Sequence, residues 1–102
     1  MPISIARVDE NHEVLERLAD TSDWLLRTIG KSEARKLCLL QYVDPYGDTV
    51  FNRMQLEDLN RDLNVLLSQL LSEEARRVIV GVQEMSDRCR DEVHTYLKFI
   101  GD

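Results

Sequence analysis

Cysteine, histidine, glycine and tryptophan are all scarce in this sequence. Each scarcity removes a class of chemistry. The two cysteines, Cys38 and Cys89, stand far apart and match no zinc or redox spacing. Both are expected as reduced core residues, since a free cysteine behaves as a small hydrophobe. A disulfide is disfavoured in a chain that reads as cytoplasmic. The two histidines, His12 and His94, fall on segments that read as helical. Neither forms the nucleophile–base pattern that covalent catalysis needs. The four glycines (30, 47, 81 and 101) are scattered, which excludes a glycine-rich phosphate loop. No apolar run approaches the ~18 residues of a membrane-spanning helix. The start, Met1 to Arg7, lacks the shape of a signal peptide. No pair of carboxylates sits in an apolar neighbourhood that would tune it for acid–base work. The expectation is a non-enzyme with no cofactor and no metal.

Basic residues are also in the minority, 13 against 19 acidic ones, for a net charge of −6. That deficit argues against nucleic acid and against an anionic membrane, both of which require a basic footprint. It favours encounter with a basic protein surface. At 102 residues, with 43% hydrophobic and 31% charged, the chain fits one domain, 1–102, with a real core.

The stretch Asp44-Pro45-Tyr46-Gly47-Asp48 divides the chain. Before it, Ile3 and Ile5 alternate as a strand does. Residues 11–29 carry helical spacing through Val14, Leu18, Leu25 and Ile29, as one helix or as two meeting near Thr21, with Gly30 as a natural stop. Lys31 to Lys36 is polar and short, a loop or a single turn. The run from Leu37 to Val43 is nearly all apolar, the mark of a strand covered on both faces. Asp, Pro and Gly at the following turn supply hairpin chemistry, so residues 49–51 are expected to return antiparallel to 37–43. A cation between Asp44 and Asp48 is the competing reading, but the turn accounts for Asp44 without one.

Beyond the turn the pattern is helical. Asn52 and Gln55 have the character of a capping box. Leucines at 56, 59, 63, 66, 67 and 70 follow in heptad spacing, which predicts a helix over 53–71. Ser72 caps a second, and Val78, Val82, Met85, Cys89, Val93, Tyr96 and Ile100 extend it over 73–99. Gly81, inside it, suggests close approach by another backbone. Glu73–Arg77 and Glu84–Arg88 stand at ion-pair spacing. The fold class expected is α+β: a small antiparallel β-sheet packed on a C-terminal antiparallel helical hairpin, with a further N-terminal helical region.

The segment Tyr42-Val43-Asp44-Pro45-Tyr46-Gly47-Asp48-Thr49-Val50-Phe51-Asn52 resembles a recurrent element in small bacterial proteins of unknown function, built around an Asp-Pro-Tyr-Gly-Asp-Thr-Val-Phe-Asn core. The resemblance is confined to this segment. It implies a bacterial origin and carries no functional residue. By analogy with small, acidic, single-domain bacterial proteins, the leading expectation is a protein-binding module. Its concrete form is a cytoplasmic immunity protein or inhibitor that occludes the basic active site of a toxin or effector. Glu84, Asp87 and Asp91, at i, i+3 and i+7, form an acidic stripe that would either stay solvated or meet such a partner. Trp24 and Tyr46 are the candidate apolar anchors, and Asp48 is left without a reason in the turn. The alternative is a structural homodimer or accessory subunit, paired through the overhanging end of the long helix.

Overall fold

A computed structural model describes residues 3–20, 22–31, 37–69 and 71–101. Strands β1 (Ile3–Asp9) and β2 (Val14–Asp20) form a hairpin, followed by helix α1 (Trp24–Lys31). A 3-10 turn (Leu40–Tyr42) leads to strand β3 (Asp48–Phe51). Helix α2 (Leu56–Leu67), helix α3 (Glu73–Asp91) and strand β4 (Thr95–Ile100) complete the chain. The sheet is antiparallel throughout, in the order β2-β1-β4-β3. The fold is therefore α+β, with α2 and α3 folded back on each other. Asn60 meets Asp87 and Asn64 meets Gln83, so the two helices run antiparallel.

One face of the sheet holds the core. Ile5, Leu97, Phe99 and Phe51 point inward to meet Leu59, Leu63, Ile79 and Met85 of the two helices. Phe51 and Phe99 pack edge to face, with ring centres 5.6 Å apart. Leu18 of β2 presses on α3 at Gly81, where a Cβ would stand 3.2 Å from its Cδ2. The close approach at Gly81 is thus made by a side chain rather than by another backbone.

Several local expectations hold. Asn52 and Gln55 form the reciprocal capping box, and the Ser72 hydroxyl accepts the Ala75 N–H at 3.1 Å. Asp44 closes its turn by accepting the Tyr46 N–H at 2.9 Å.

Several segments differ from their sequence patterns. Residues 14–20 are a strand, and only the later part of 11–29 is helical. The inward positions of β2 are Glu16, Leu18 and Asp20, so its alternation is masked by two charges. Asp9 and Asn11 lie at the hairpin turn between β1 and β2. There Asp9 accepts the N–H groups of Asn11 and Glu13. α1 runs through Gly30 to Lys31, and its cap is Asp20, which accepts the N–H groups of Trp24 and Leu25.

Residues 37–43 are not a strand and do not pair with β3. Leu37, Leu40 and Val43 turn inward at a spacing of three, while Cys38 and Tyr42 face out. Only Cys89 of the two thiols is buried. Helix α3 stops at Asp91, and His94, at φ 63°, turns the chain into β4. The overhanging helix end that a dimer would have used is the second central strand of the sheet. The rest of the 31–36 segment, Thr21 and Leu70 lie outside the described residues.

Candidate functional site

The N-terminal end of α2 and the C-terminal end of α3 meet at one edge of the molecule. Between them lies an open groove of about 510 Å³ lined by Arg53, Met54, Glu57, Asp87, Arg90 and Asp91. A second depression of about 280 Å³ shares Arg53 and Met54 and continues past Val93, His94 and Tyr96. The two adjoin at Arg53 and Met54, with Glu57, Asp87 and Asp91 on one side and Val93 and Tyr96 on the other.

The groove's arginines are already engaged. The Arg53 Nε donates to the Arg90 carbonyl at 3.0 Å, and the Arg90 guanidinium stands 4.0 Å from the Asp87 carboxylate. Asp87 also accepts from the Asn60 amide at 2.9 Å, which fixes its direction. Glu57 and Asp91 have no hydrogen bond or ion pair among the described residues. Glu57 lies in the first turn of α2, where the helix dipole favours a negative charge. Asp91 is the last residue of α3, where the dipole opposes one. Beside them Met54 is 91% exposed and Val93 64% exposed.

Of the residues singled out from sequence, Asp87 and Asp91 come together here. Glu84 is exposed further up α3, toward Arg88. Of the two expected ion pairs, Glu73–Arg77 forms at 3.4 Å, whereas Arg88 turns to Glu16 at 2.7 Å and feels Glu84 only through its charge. Trp24 lies near the opposite end of α3, half-buried under Arg27, whose guanidinium is 5.3 Å from the ring centre. It lines a separate depression of about 200 Å³ with Ser22, Glu74, Arg77 and Val78. Tyr46 is exposed at its turn, and Asp48 pairs with Lys98 at 3.5 Å. Asp44 and Asp48 are thus each engaged, one by the turn and one by a lysine. Glu57, Met54 and Val93 escaped the sequence reading. Met54 had a visible signal: it is a large apolar residue that falls off the leucine ladder.

A second cluster lies at the far edge of the sheet. Glu16 sits between Arg88 and Arg7, and Arg7 also reaches Glu92 at 2.8 Å. Burial works to raise the Glu16 pKa. The Arg88 hydrogen bond and the charges of Arg88 and Arg7 outweigh it and hold the carboxyl below its usual range. This network is internally neutralised and reads as structural.

Among the described residues, no group of three or more His, Cys, Asp or Glu side chains is arranged to hold a metal ion. Nor, among the described residues, is any helix long and apolar enough to cross a membrane. Comparisons with protein families, with curated proteins and with solved structures return no match.

Proposed function

We propose that this chain is a protein-binding module that receives a basic side chain of its partner between Glu57, Asp87 and Asp91, with an apolar neighbour of that side chain resting on Met54 and Val93. The observation that supports it most is Asp91. An unpaired carboxylate at the negative end of a helix costs stability, and folding gives no reason for it. It shares its groove with a methionine that contributes nothing to the core. Methionine suits an adaptable contact surface. In its concrete form the module is a bacterial inhibitor or immunity protein acting in the cytoplasm, which covers the basic rim of a toxin or effector.

The test is capture of a partner from the source cell at low and high salt, with wild type and two folded variants, Asp91→Lys and Met54→Asp. The expected result is one partner retained at low salt, released at high salt, and weakened at least about tenfold by either substitution. Retention that is equal for all three proteins would remove the groove from the interface. Recovery of no partner at low salt would remove the proposal.

A further inference from the structure

Of the described residues lining the second depression, only His94 carries a side chain of the type that changes charge between about pH 5 and pH 8. It joins α3 to β4 at φ 63°, a left-handed conformation that asparagine or glycine also supplies. Its side chain is 71% exposed and adds nothing to the core. The turn therefore gives no reason for an imidazole. Pairing of β1 with β4 sets Asp9 opposite Thr95, which brings the β1–β2 turn beside His94. There the Glu10 carboxylate stands 3.7 Å from the His94 Nδ1, its one partner among the described residues. The neighbouring charges are committed elsewhere. Asp9 accepts the N–H groups of Asn11 and Glu13, and Glu92 pairs with Arg7 at 2.8 Å. Neither His12 nor Glu13, on the same turn as Glu10, makes an ion pair among the described residues. On the other side, Arg53 lines the depression with its Nε on the Arg90 carbonyl, and Tyr96 lines it from β4.

We propose that His94 makes the groove pH-sensitive, so that it receives a basic side chain with an apolar neighbour when the imidazole is neutral and releases it when the imidazole is protonated. This regulation rests on the groove being the partner site. The neutral ring is one more flat wall beside Met54, Val93 and Tyr96, and the apolar neighbour rests on it. The protonated ring is an ion, which Glu10 pairs from one side and so keeps in place. An apolar group laid over that ion strips water from it, which is costly. The new charge also stands on the same side as Arg53 and opposes the incoming basic side chain. Carboxylates in general stay ionised across this range, so the change belongs to the histidine. A bound state that excludes one proton loses affinity as the pH falls, by about tenfold between about pH 7.5 and pH 5.5.

The probe is the peptide acetyl-Leu-Arg-amide, titrated into the full chain and followed by NMR at the Met54 methyl and the Asp91 amide. The expected Kd is on the order of 1 mM at about pH 7.5 and about tenfold weaker at about pH 5.5. His94→Asn suits the left-handed turn and cannot ionise, so it should bind equally at both. His12→Asn, at the other left-handed histidine (φ 64°), should keep the wild-type dependence. Without peptide, the Met54 methyl and the His94 ring should titrate with one midpoint. Equal binding of wild type at the two pH values overturns the regulation and leaves the groove as the partner site. A pH dependence that survives His94→Asn overturns it too, as does a Met54 methyl indifferent to the His94 titration. A peptide that moves neither Met54 nor Asp91 at about pH 7.5 removes the site and its regulation together.

Discussion

The carboxylate of Asp62 on α2 accepts the backbone N–H of Leu39 at 2.6 Å. The same group accepts the N–H of Cys38 at 2.8 Å and that of Leu40 at 3.0 Å. A buried aspartate, 2% exposed, thus serves as the cap of a 3-10 turn on a distant segment. Charge-assisted bonds are stronger than neutral ones, and three donors lose their acceptor together if the carboxylate is removed. Asp62→Ala should therefore cost about 3 kcal/mol in urea unfolding. Asp62→Asn, which keeps one acceptor oxygen, should fall between it and wild type.

Glu16 should make stability depend on pH. Its folded pKa lies below the unfolded value, so the stability it contributes is present above the unfolded pKa. That contribution is lost as pH falls through the folded pKa. Glu16→Gln should be less stable than wild type by about 1 kcal/mol at neutral pH, given the partial exposure of the cluster. The gap should close as the pH is lowered through the acid range. Chemical unfolding of both proteins over that range checks it, and a gap that widens toward acid would contradict it.

Asp91 should carry a stability cost. Asp91→Asn removes a negative charge from the negative end of α3, so it should stabilise the fold by about 0.5 kcal/mol. The same substitution should weaken partner binding. Stability measured by thermal unfolding and binding measured by capture should move in opposite directions.

Gly101 fastens the chain end to the central turn. Its N–H donates to the Gly47 carbonyl at 2.8 Å. A Cβ there would stand 2.6 Å from the carbonyl oxygens of both Asp44 and Gly47. Gly101→Ala must open that contact, at a cost of about 1 kcal/mol. Faster amide exchange at residues 46–49 would report the loosened turn.

The two thiols should react very differently. Burial pushes the Cys89 thiol up to about 11, whereas Cys38 is exposed. A thiol reagent at mildly alkaline pH should modify one cysteine per chain rapidly. The second should react only on unfolding. Cys38→Ser should abolish the rapid phase.

Much of the local structure was legible because its causes are local. The caps at Asn52 and Ser72 and the turn at Asp44 each rest on hydrogen bonds within a few residues. The leucine ladder of α2 has one period and one partner face. β2 was illegible because Glu16 and Asp20 take inward positions, where ion pairing and capping stand in for hydrophobicity. β4 was illegible for the opposite reason. Val93, Tyr96 and Ile100 prolong a helical stripe while Thr95, Leu97 and Phe99 alternate, so the sequence satisfies two periods at once. Of the site, Asp87 and Asp91 were visible as a helix stripe. Their meeting with Glu57 and Met54 required the helical hairpin to close.

By itself the sequence determined an acidic α+β domain, the capping box that opens the 3-10 turn (Arg53–Gln55) leading into α2, the cap of α3 and the closure of the central turn. Only the tertiary structure decided that residues 95–100 are a strand, because that choice depends on pairing with β1 and β3, far away in the chain. It likewise decided that residues 37–43 curl around a carboxylate rather than extend. The strongest acceptor for their backbone N–H groups belongs to Asp62, on a helix formed later in the sequence. Short-range hydrogen bonds are written in neighbouring residues, whereas the partner of a strand or of a buried charge exists only once the chain has folded.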